Sequence, residues 1–469
     1  MKFGKFILIL IATSGAACSD WLDVEPRSQV KDAELFSSET GFKEALAGVY
    51  ALLTTEALYV KEMRFGMMGV LGQEWSYYST AYQDEALYNY EGSNPTNRME
   101  NIWQGLYNAI ANANVILEVI DEKKHVFTGI NYAVIKGEAL ALRAFIHFDL
   151  LRCFGASVEA NKEQPAIPYV TVYAPLQSPQ LTVSGVIDKV LADLDSAAVY
   201  LESDPIYTGK EITEQDDNGY LLNRQLHLNY YAAKGLQARA YLYNKQYQQA
   251  AACASEVILS GKFPWVSQTD LINGVDYTGA SEQLWGVDVN NLSTISETYF
   301  QLTGGSATFY VKQNSLLNYY DNLTDDYRYL YLYTFGSGAS SDNRYPAKYN
   351  VSSDDDSYYL NKMAMIKIAE MHYILAEARY HASEDYMPAL NAVRVARGVT
   401  PLSVVADFPV TLASEFRKEF IGEGQLFFFY KRRNMENIFE TDINPVESKA
   451  YVFPLPQSER EAANRVDNR

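Results

Sequence analysis

Six aromatic residues fall within the sixteen positions from Trp75 to Tyr90 (Trp75, Tyr77, Tyr78, Tyr82, Tyr88 and Tyr90), where an aromatic content of 13% leads one to expect about two. The residues between them are polar: Ser76, Ser79, Thr80, Gln83, Asp84, Glu85 and Asn89. Aromatic rings pack on the apolar C–H faces of sugars, and hydroxyls, amides and carboxylates reach sugar hydroxyls. On a loop, this mixture has the chemistry of oligosaccharide capture, with Trp75, Tyr77, Tyr78 and Tyr82 as candidate binding residues. The competing reading is that the rings cover helices, and it weighs most for Tyr88 and Tyr90.

Bond-making chemistry has far less support. Five histidines (His125, His147, His227, His372, His381) lie scattered, with no HExxH and no CxxC beside them, so the signature of a zinc site is missing. His147 and His372 stand in core-type helical patterns. No G-x-S-x-G elbow, P-loop or dinucleotide fingerprint occurs in its required setting. The acidic runs Asp354-Asp355-Asp356 and Asp216-Asp217-Asn218-Gly219 lack the spacing of an EF-hand and read as solvated turns. A glycosidase pair is defined by separation in space rather than along the chain, so a hydrolase stays open as a remote alternative. We expect no catalysis, no cofactor and no metal. The net charge of −19 argues against a nucleic-acid backbone or an anionic lipid surface as the main partner and favours neutral or cationic ligands.

The elements that must position these residues are mainly helices. Phe42, Ala45, Leu46, Val49, Leu52 and Leu53 recur at helical spacing, as do Trp103, Leu106, Tyr107, Ile110, Asn114, Leu117 and Ile120. Val134 to Phe154 is apolar on nearly every face, with Gly155 placed to end it, and predicts a central buried helix. Leu236, Tyr241, Tyr247 and Ala250 return at a constant offset as Leu375, Tyr380, Tyr386 and Ala389, a pattern L-x4-Y-x5-Y-x2-A read twice. Each copy predicts a helix, a short polar turn and an Ala-rich return helix, which is the tetratricopeptide type of hairpin. The buried helix with Ser184 to Leu201 makes a third hairpin, and Ser414 to Asn434 a further helix. Between the repeats, residues 260–360 are rich in Gly, Asn, Ser, Asp and Tyr, with strand-like runs at Gln283 to Val289 and Phe309 to Lys312. Long loops on a rigid scaffold usually carry binding. Trp285 is read as packed.

The first residues have the form of an export signal: Lys2 and Lys5, an apolar run from Phe6 to Ala12, then Gly15, Ala16 and Ala17 leading into Cys18. This resembles a bacterial lipoprotein signal, with residues 1–17 removed and Cys18 lipidated. The remaining Cys153 and Cys253 sit in apolar helical patterns and read as buried thiols rather than a disulfide.

Several motifs in order resemble the SusD/RagB family of outer-membrane nutrient-binding lipoproteins. They begin with Cys18-Ser19-Asp20 followed by Leu22, Asp23 and Pro26, then Trp103, Tyr107, Ile110 and Asn114, then Gly137-Glu138-Ala139 through Arg143 and Phe148 to Phe154-Gly155. They continue with Asp326 and Arg328, Lys348-Tyr349, Ala369-Glu370, Ala376-Glu377-Ala378, Asn391, Val393-Arg394, Glu423-Gly424 and Phe453-Pro454-Leu455-Pro456. Lys367, Ala396 and Phe429 depart from the family pattern at positions that look structural. The resemblance implies a mostly α fold of discontinuous tetratricopeptide-like helical hairpins, with a loop-rich ligand-binding region and a few short strands. It divides the chain into a signal peptide (1–17), a SusD-like N-terminal region (18–225) and a SusD/RagB-like C-terminal region (226–469) packed with it as one body. It adds Tyr299 and Tyr310 to the candidate residues. It implies a lipid-anchored protein of the outer membrane, facing the cell exterior, that captures oligosaccharides and delivers them to a SusC-like TonB-dependent transporter. The alternative on the same scaffold is capture of peptides or another nutrient.

Overall fold

The computed structural model describes residues 34–174, 177–300, 308–349, 361–462 and 464–469. The expected signal peptide, Cys18, the Thr303–Ser306 turn and Asp354–Asp356 lie outside the described residues. The protein is mostly helical. Its longer helices are α1 (Glu39–Leu53), α2 (Ser93–Val119), α3 (Asn131–Phe154), α4 (Val183–Leu201), α5 (Tyr230–Tyr243), α6 (Tyr247–Leu259), α7 (Leu292–Phe300), α8 (Gln313–Tyr319), α9 (Ile368–His381), α10 (Met387–Ala396), α11 (Phe408–Phe420) and α12 (Leu426–Arg432).

Helix α3 is buried along nearly its whole length and packs against α2 on one side and α4 on the other. The two sequence repeats are hairpins, α5–α6 and α9–α10. Each first helix is closed by a non-glycine residue in the left-handed region, Lys245 (φ 58°) and Ser383 (φ 58°). In both, the next backbone N–H reaches back five residues, Gln246 N–H to Tyr241 O and Glu384 N–H to Arg379 O, each at 2.8 Å. Helices α6 and α9 pack on one another, so the hairpins stack although about a hundred residues separate them in sequence.

His147 is fully buried, stacked on Tyr169 at 3.8 Å, with Nδ1–H donating to Arg143 O and Nε2 accepting from Val170 N–H, both at 2.9 Å. Burial pushes its ring down to about 3, so it is a neutral core residue. Cys153 and Cys253 are free and buried.

The expected helix from Ser414 to Asn434 is two helices. Ile421–Gln425 interrupts it, with Gly422 (φ 75°) and Gly424 (φ 72°) in the left-handed region. A Cβ on Gly424 would lie 2.2 Å from Met63 O, so the chain passes too close to another backbone for a side chain.

Among the described residues, eight short strands complete the fold: β1 (Tyr77–Tyr78), β2 (Pro165–Pro168), β3 (Gln180–Thr182), β4 (Gln283–Asp288), β5 (Phe309–Lys312), β6 (Tyr333–Phe335), β7 (Asn343–Pro346) and β8 (Lys362–Lys367). β2 pairs with β3 and β4 with β8, while β1, β5, β7 and β6 form one antiparallel sheet in that order. Trp285 on β4 is fully buried, edge-on to Phe145 at 4.8 Å.

Candidate functional site

The four-stranded sheet joins the two aromatic segments. Strand β1 pairs with β5 so that Tyr77 faces Tyr310 and Tyr78 faces Phe309. Alternation along Phe309-Tyr310-Val311-Lys312 sends Phe309 and Val311 into the core and leaves Tyr310 and Lys312 on the outer face. β7 continues the pattern: Lys312 lies opposite Asn343 and Val311 opposite Arg344, which sets Tyr345 opposite Tyr310.

The outer face therefore carries a row of rings across three strands. Tyr77 and Tyr310 are parallel, with centroids 4.7 Å apart and an interplanar angle of 7°, and Tyr345 meets Tyr310 edge-on at 5.7 Å. Tyr77 is 39% exposed, Tyr310 half-buried and Tyr345 buried. A polar row lies beside them. Lys312 Nζ donates to Asn343 Oδ1 at 2.6 Å, and Asn343 Nδ2 donates to the Tyr345 hydroxyl at 3.0 Å. Lys312 Nζ stands 5.4 Å over the Tyr310 ring. Burial raises the Tyr310 phenol above its usual range, so it remains a neutral donor.

Trp75 and Tyr82, two of the residues expected to bind, belong to the inside. Trp75 is 6% exposed and Tyr82 4%. The Trp75 ring lies against Phe300 and Phe309, and its Nε1–H donates to Phe65 O at 2.8 Å. Tyr82 is sandwiched between Phe309 and the Arg98 guanidinium, 3.9 Å over its ring, and its hydroxyl donates to Glu62 Oε1 at 2.9 Å. Neither offers a free ring face, because the segment packs back on the short helix Met67–Leu71, where a Cβ on Gly69 would come within 2.7 Å of Trp75 Nε1. Tyr88 and Tyr90 are buried too, Tyr90 donating to Ala450 O at 2.6 Å.

Tyr78 points inward from β1 and packs on the core. Tyr299 is half-buried and engaged elsewhere: its hydroxyl donates to Glu56, and Lys61 Nζ stands 5.2 Å over its ring. Of the six expected aromatics, the structure thus brings Tyr77 and Tyr310 together on the outer face. Asn343, Tyr345 and Lys312 were missed; the alternating run 309–312 contains the signal for Lys312, whereas Asn343-Arg344-Tyr345-Pro346 is buried throughout and alternates in neither sequence nor exposure.

The sheet is pinned to the helical body at the break between α11 and α12. Just before β1, Glu74 Oε2 accepts from Gly422 N–H at 2.6 Å. Just after β7, Lys348 Nζ donates to Ile421 O at 3.1 Å and to Glu423 Oε1 at 2.6 Å, and the Tyr349 hydroxyl donates to Gly422 O at 2.8 Å. Behind this point Lys367 pairs with Glu423 and Glu419, Arg397 with Glu419 and Glu282, and Arg328 with Glu419 and Asp326, all buried. Burial penalises the Glu419 carboxylate, but Arg397 and Lys367 outweigh it and hold the group well below the usual range. The family-like Asp326 and Arg328 are therefore scaffold, and Lys367, a departure from the family pattern, still forms ion pairs.

Asp216 accepts from the Thr213 N–H and hydroxyl, and Asp217 binds Lys43 and Asn131, so both acids serve a turn. The roomier cavities lie away from the tyrosine row. One of ≈590 Å³ is lined by Trp103, Tyr107 and Arg465, another of ≈480 Å³ by Tyr220 and His227. The candidate face is open surface.

Comparison with known proteins agrees with this architecture. Residues 20–212 match a SusD-like family described as starch-binding and associating with the outer membrane. Two curated relatives are SusD-like proteins of Formosa agariphila: P38, 24% identical over 55% of this chain and 45% of its own length, and P25, 21% identical over 61% and 52%. The chain spans about half the length of these relatives. Among solved structures, a SusD-like carbohydrate binding protein from Bacteroides vulgatus aligns with a TM-score of 0.72 at 19% identity, covering 91% of this chain and 97% of that one. A SusD superfamily protein from Bacteroides thetaiotaomicron aligns with a TM-score of 0.73 at 18% identity, covering 92% and 98%. At these identities the structural matches establish a shared fold.

Proposed function

We propose that this chain is a SusD/RagB family protein and captures glycans through the outer face of its four-stranded sheet. The observation that carries the reading is the stacked pair Tyr77 and Tyr310 beside the exposed Lys312, backed by the buried Tyr345 and Asn343 and held on a sheet whose strands are anchored to a buried ion network. Ring faces and edges supply apolar contact for sugar C–H groups. Phenol, amide and ammonium groups supply hydrogen bonds, and a rigid base keeps the ordering cost of binding low.

Binding involves no covalent step, and the glycan leaves unchanged. The family description and the name of the B. vulgatus relative support carbohydrate as the ligand class. An open face suits hand-over: a ligand held on a surface can be passed to a neighbour without a cavity having to open. In this reading Cys18 carries the lipid that tethers the chain to the outer membrane, on the exterior side, and the recipient is a SusC-like TonB-dependent transporter. No described helix is long and apolar enough to cross a membrane.

Isothermal titration of the chain starting after Cys18, against a panel of glycans and a peptide digest, tests the reading. Tyr77→Ala and Tyr310→Ala each remove about 0.5–1.5 kcal/mol of stacking, a roughly two- to twelvefold loss of affinity. Glycan binding that both variants weaken, with no product formed, supports capture at this face. Binding of peptides alone, or glycan binding indifferent to both substitutions, overturns it.

A further inference from the structure

We infer that the glycan taken by this face carries a negative charge on the sugar, a uronate carboxylate or a sulfate ester, and that Lys312 reads it. This rests on the capture reading above and goes against the whole-chain charge, with 58 acids to 39 bases. The whole-chain field sets long-range approach, but contact is decided by the charges within a Debye length of the ligand, about 8 Å at physiological salt.

Near the sheet most cations are already neutralised. Arg98 is paired with Glu62 and Glu85, Lys61 with Glu56 and Glu62, and Lys348 with Glu423. Lys312 is held differently. Its tightest partner is the neutral Asn343 amide oxygen at 2.6 Å, which orients the ammonium without cancelling its charge. Its carboxylate neighbour, Asp342 Oδ2, is 3.7 Å away, and the two side chains are 43% and 58% exposed. An exposed pair of that kind is screened by solvent and weakly held, so a ligand anion displaces Asp342 at little cost.

The ammonium is also set in place from its own backbone, since Lys312 N–H donates to Ser76 Oγ at 2.9 Å, next to Tyr77. A sugar lying along the Tyr77–Tyr310 row brings a ring substituent toward the ammonium, which stands 5.4 Å over Tyr310. On β7, Arg344 lies opposite Val311 and therefore on the other face of the sheet from Lys312. Arg344 makes no ion pair among the described residues, donates Nη1 to Ser341 O and Asn343 O, and keeps a buried Nε without a partner. The cation that the outer face presents beside the rings is thus Lys312, with the loosely held Asp342 as its carboxylate neighbour.

The test pairs each charged glycan with its neutral counterpart: oligogalacturonate with its carboxyl-reduced form, and dextran sulfate with dextran. Affinities are measured by titration at 50 and 500 mM NaCl for the wild type and four variants. One charged member should bind at least tenfold tighter than its neutral partner at low salt, with the advantage shrinking at high salt, and which pair shows it separates carboxylate from sulfate. Lys312→Gln should erase the advantage, Lys312→Arg should keep it, and Asp342→Asn should widen it. Lys162→Gln, which removes an exposed charge elsewhere, should leave it at the wild-type level. Equal binding of charged and neutral partners, or an advantage that survives Lys312→Gln, overturns the inference. If neutral glycans bind and depend on Tyr77, capture stands without charge reading; if no glycan in the set or the wider panel binds, capture itself falls.

Discussion

Replacing Glu74 with Gln should make the folded protein less sensitive to alkaline pH, and the size of the effect follows from where the carboxyl sits. Glu74 is 1% exposed, one oxygen accepting from Gly422 N–H at 2.6 Å and the other buried with no partner. Burial pushes the group up to about 8, against the pull of the Gly422 N–H and of the Lys348 and Arg64 charges, while Glu423 adds to the rise. The unfolded carboxyl titrates near 4.5, so between pH 4.5 and 8 the folded chain holds a proton that the unfolded chain has released. Stability from this group is full below pH 4.5 and falls as pH rises, by about 1.4 kcal/mol per unit and about 5 kcal/mol in all by pH 8. Gln keeps the acceptor for Gly422 and has no proton to lose. Urea unfolding of both proteins from pH 4 to 9 should give coincident midpoints at pH 4 and a widening gap in favour of Glu74→Gln up to pH 8. Parallel curves would mean that Glu74 is ionised at neutral pH, and that the nearby cations outweigh burial.

Glu138 titrates with the opposite sign: burial acts to raise it, but Arg224 and His227 outweigh burial and hold it down at about 2. Its stabilisation is present above pH 4.5 and lost as pH falls towards 2, so Glu138→Gln should lower stability by about 3 kcal/mol at pH 7 and by nothing at pH 2, read from urea midpoints. Arg397→Ala strands the buried Glu282 and Glu419, which Arg397 contacts at 2.6 and 2.7 Å, and should cost about 3–5 kcal/mol in the same assay, against a negligible change for the exposed Lys162→Ala.

The scaffold was legible because its signals are local. A helix announces itself within one stretch of apolar spacing, and the repeat of Leu236, Tyr241, Tyr247 and Ala250 at Leu375, Tyr380, Tyr386 and Ala389 marks two hairpins that the structure shows as α5–α6 and α9–α10. The break at Ile421–Gln425 was not legible as a break. Gly422 and Gly424 are tolerated in many helices, and what forbids continuation here is the approach of Met63 from the other half of the chain. The aromatic loop was half legible. Composition located the rings, but composition is blind to direction, and Trp75 and Tyr82 turn inward while Tyr77, on a two-residue strand, turns out. Strand alternation in 309–312 would have placed Lys312 on the face of Tyr310, while Asn343 and Tyr345 are placed there by the register with β7. Using it required knowing that β5 and β7 pair, and that contact crosses about thirty residues.

That pairing decides where specificity is to be sought. Tyr77 comes from the segment that matches the SusD-like family, residues 20–212, and it is positioned by Glu74 from the same segment. Tyr310, Lys312, Asn343 and Tyr345 come from beyond it, and they supply two rings, the amide and the ammonium of the face. The face exists only where the two halves meet, and both halves reach it through one point, the Ile421–Glu423 break that receives Glu74 from one side and Lys348 and Tyr349 from the other. The matched segment thus accounts for helices α1 to α4 and one stacking ring, while the hairpins α5–α6 and α9–α10 and the buried ion network lie beyond it. On the capture reading proposed above, the groups that would tell one sugar from another are Tyr310 and Lys312 on β5, so exchanging Lys312 in this chain should change the preferred glycan in a titration panel and leave the urea midpoint unchanged.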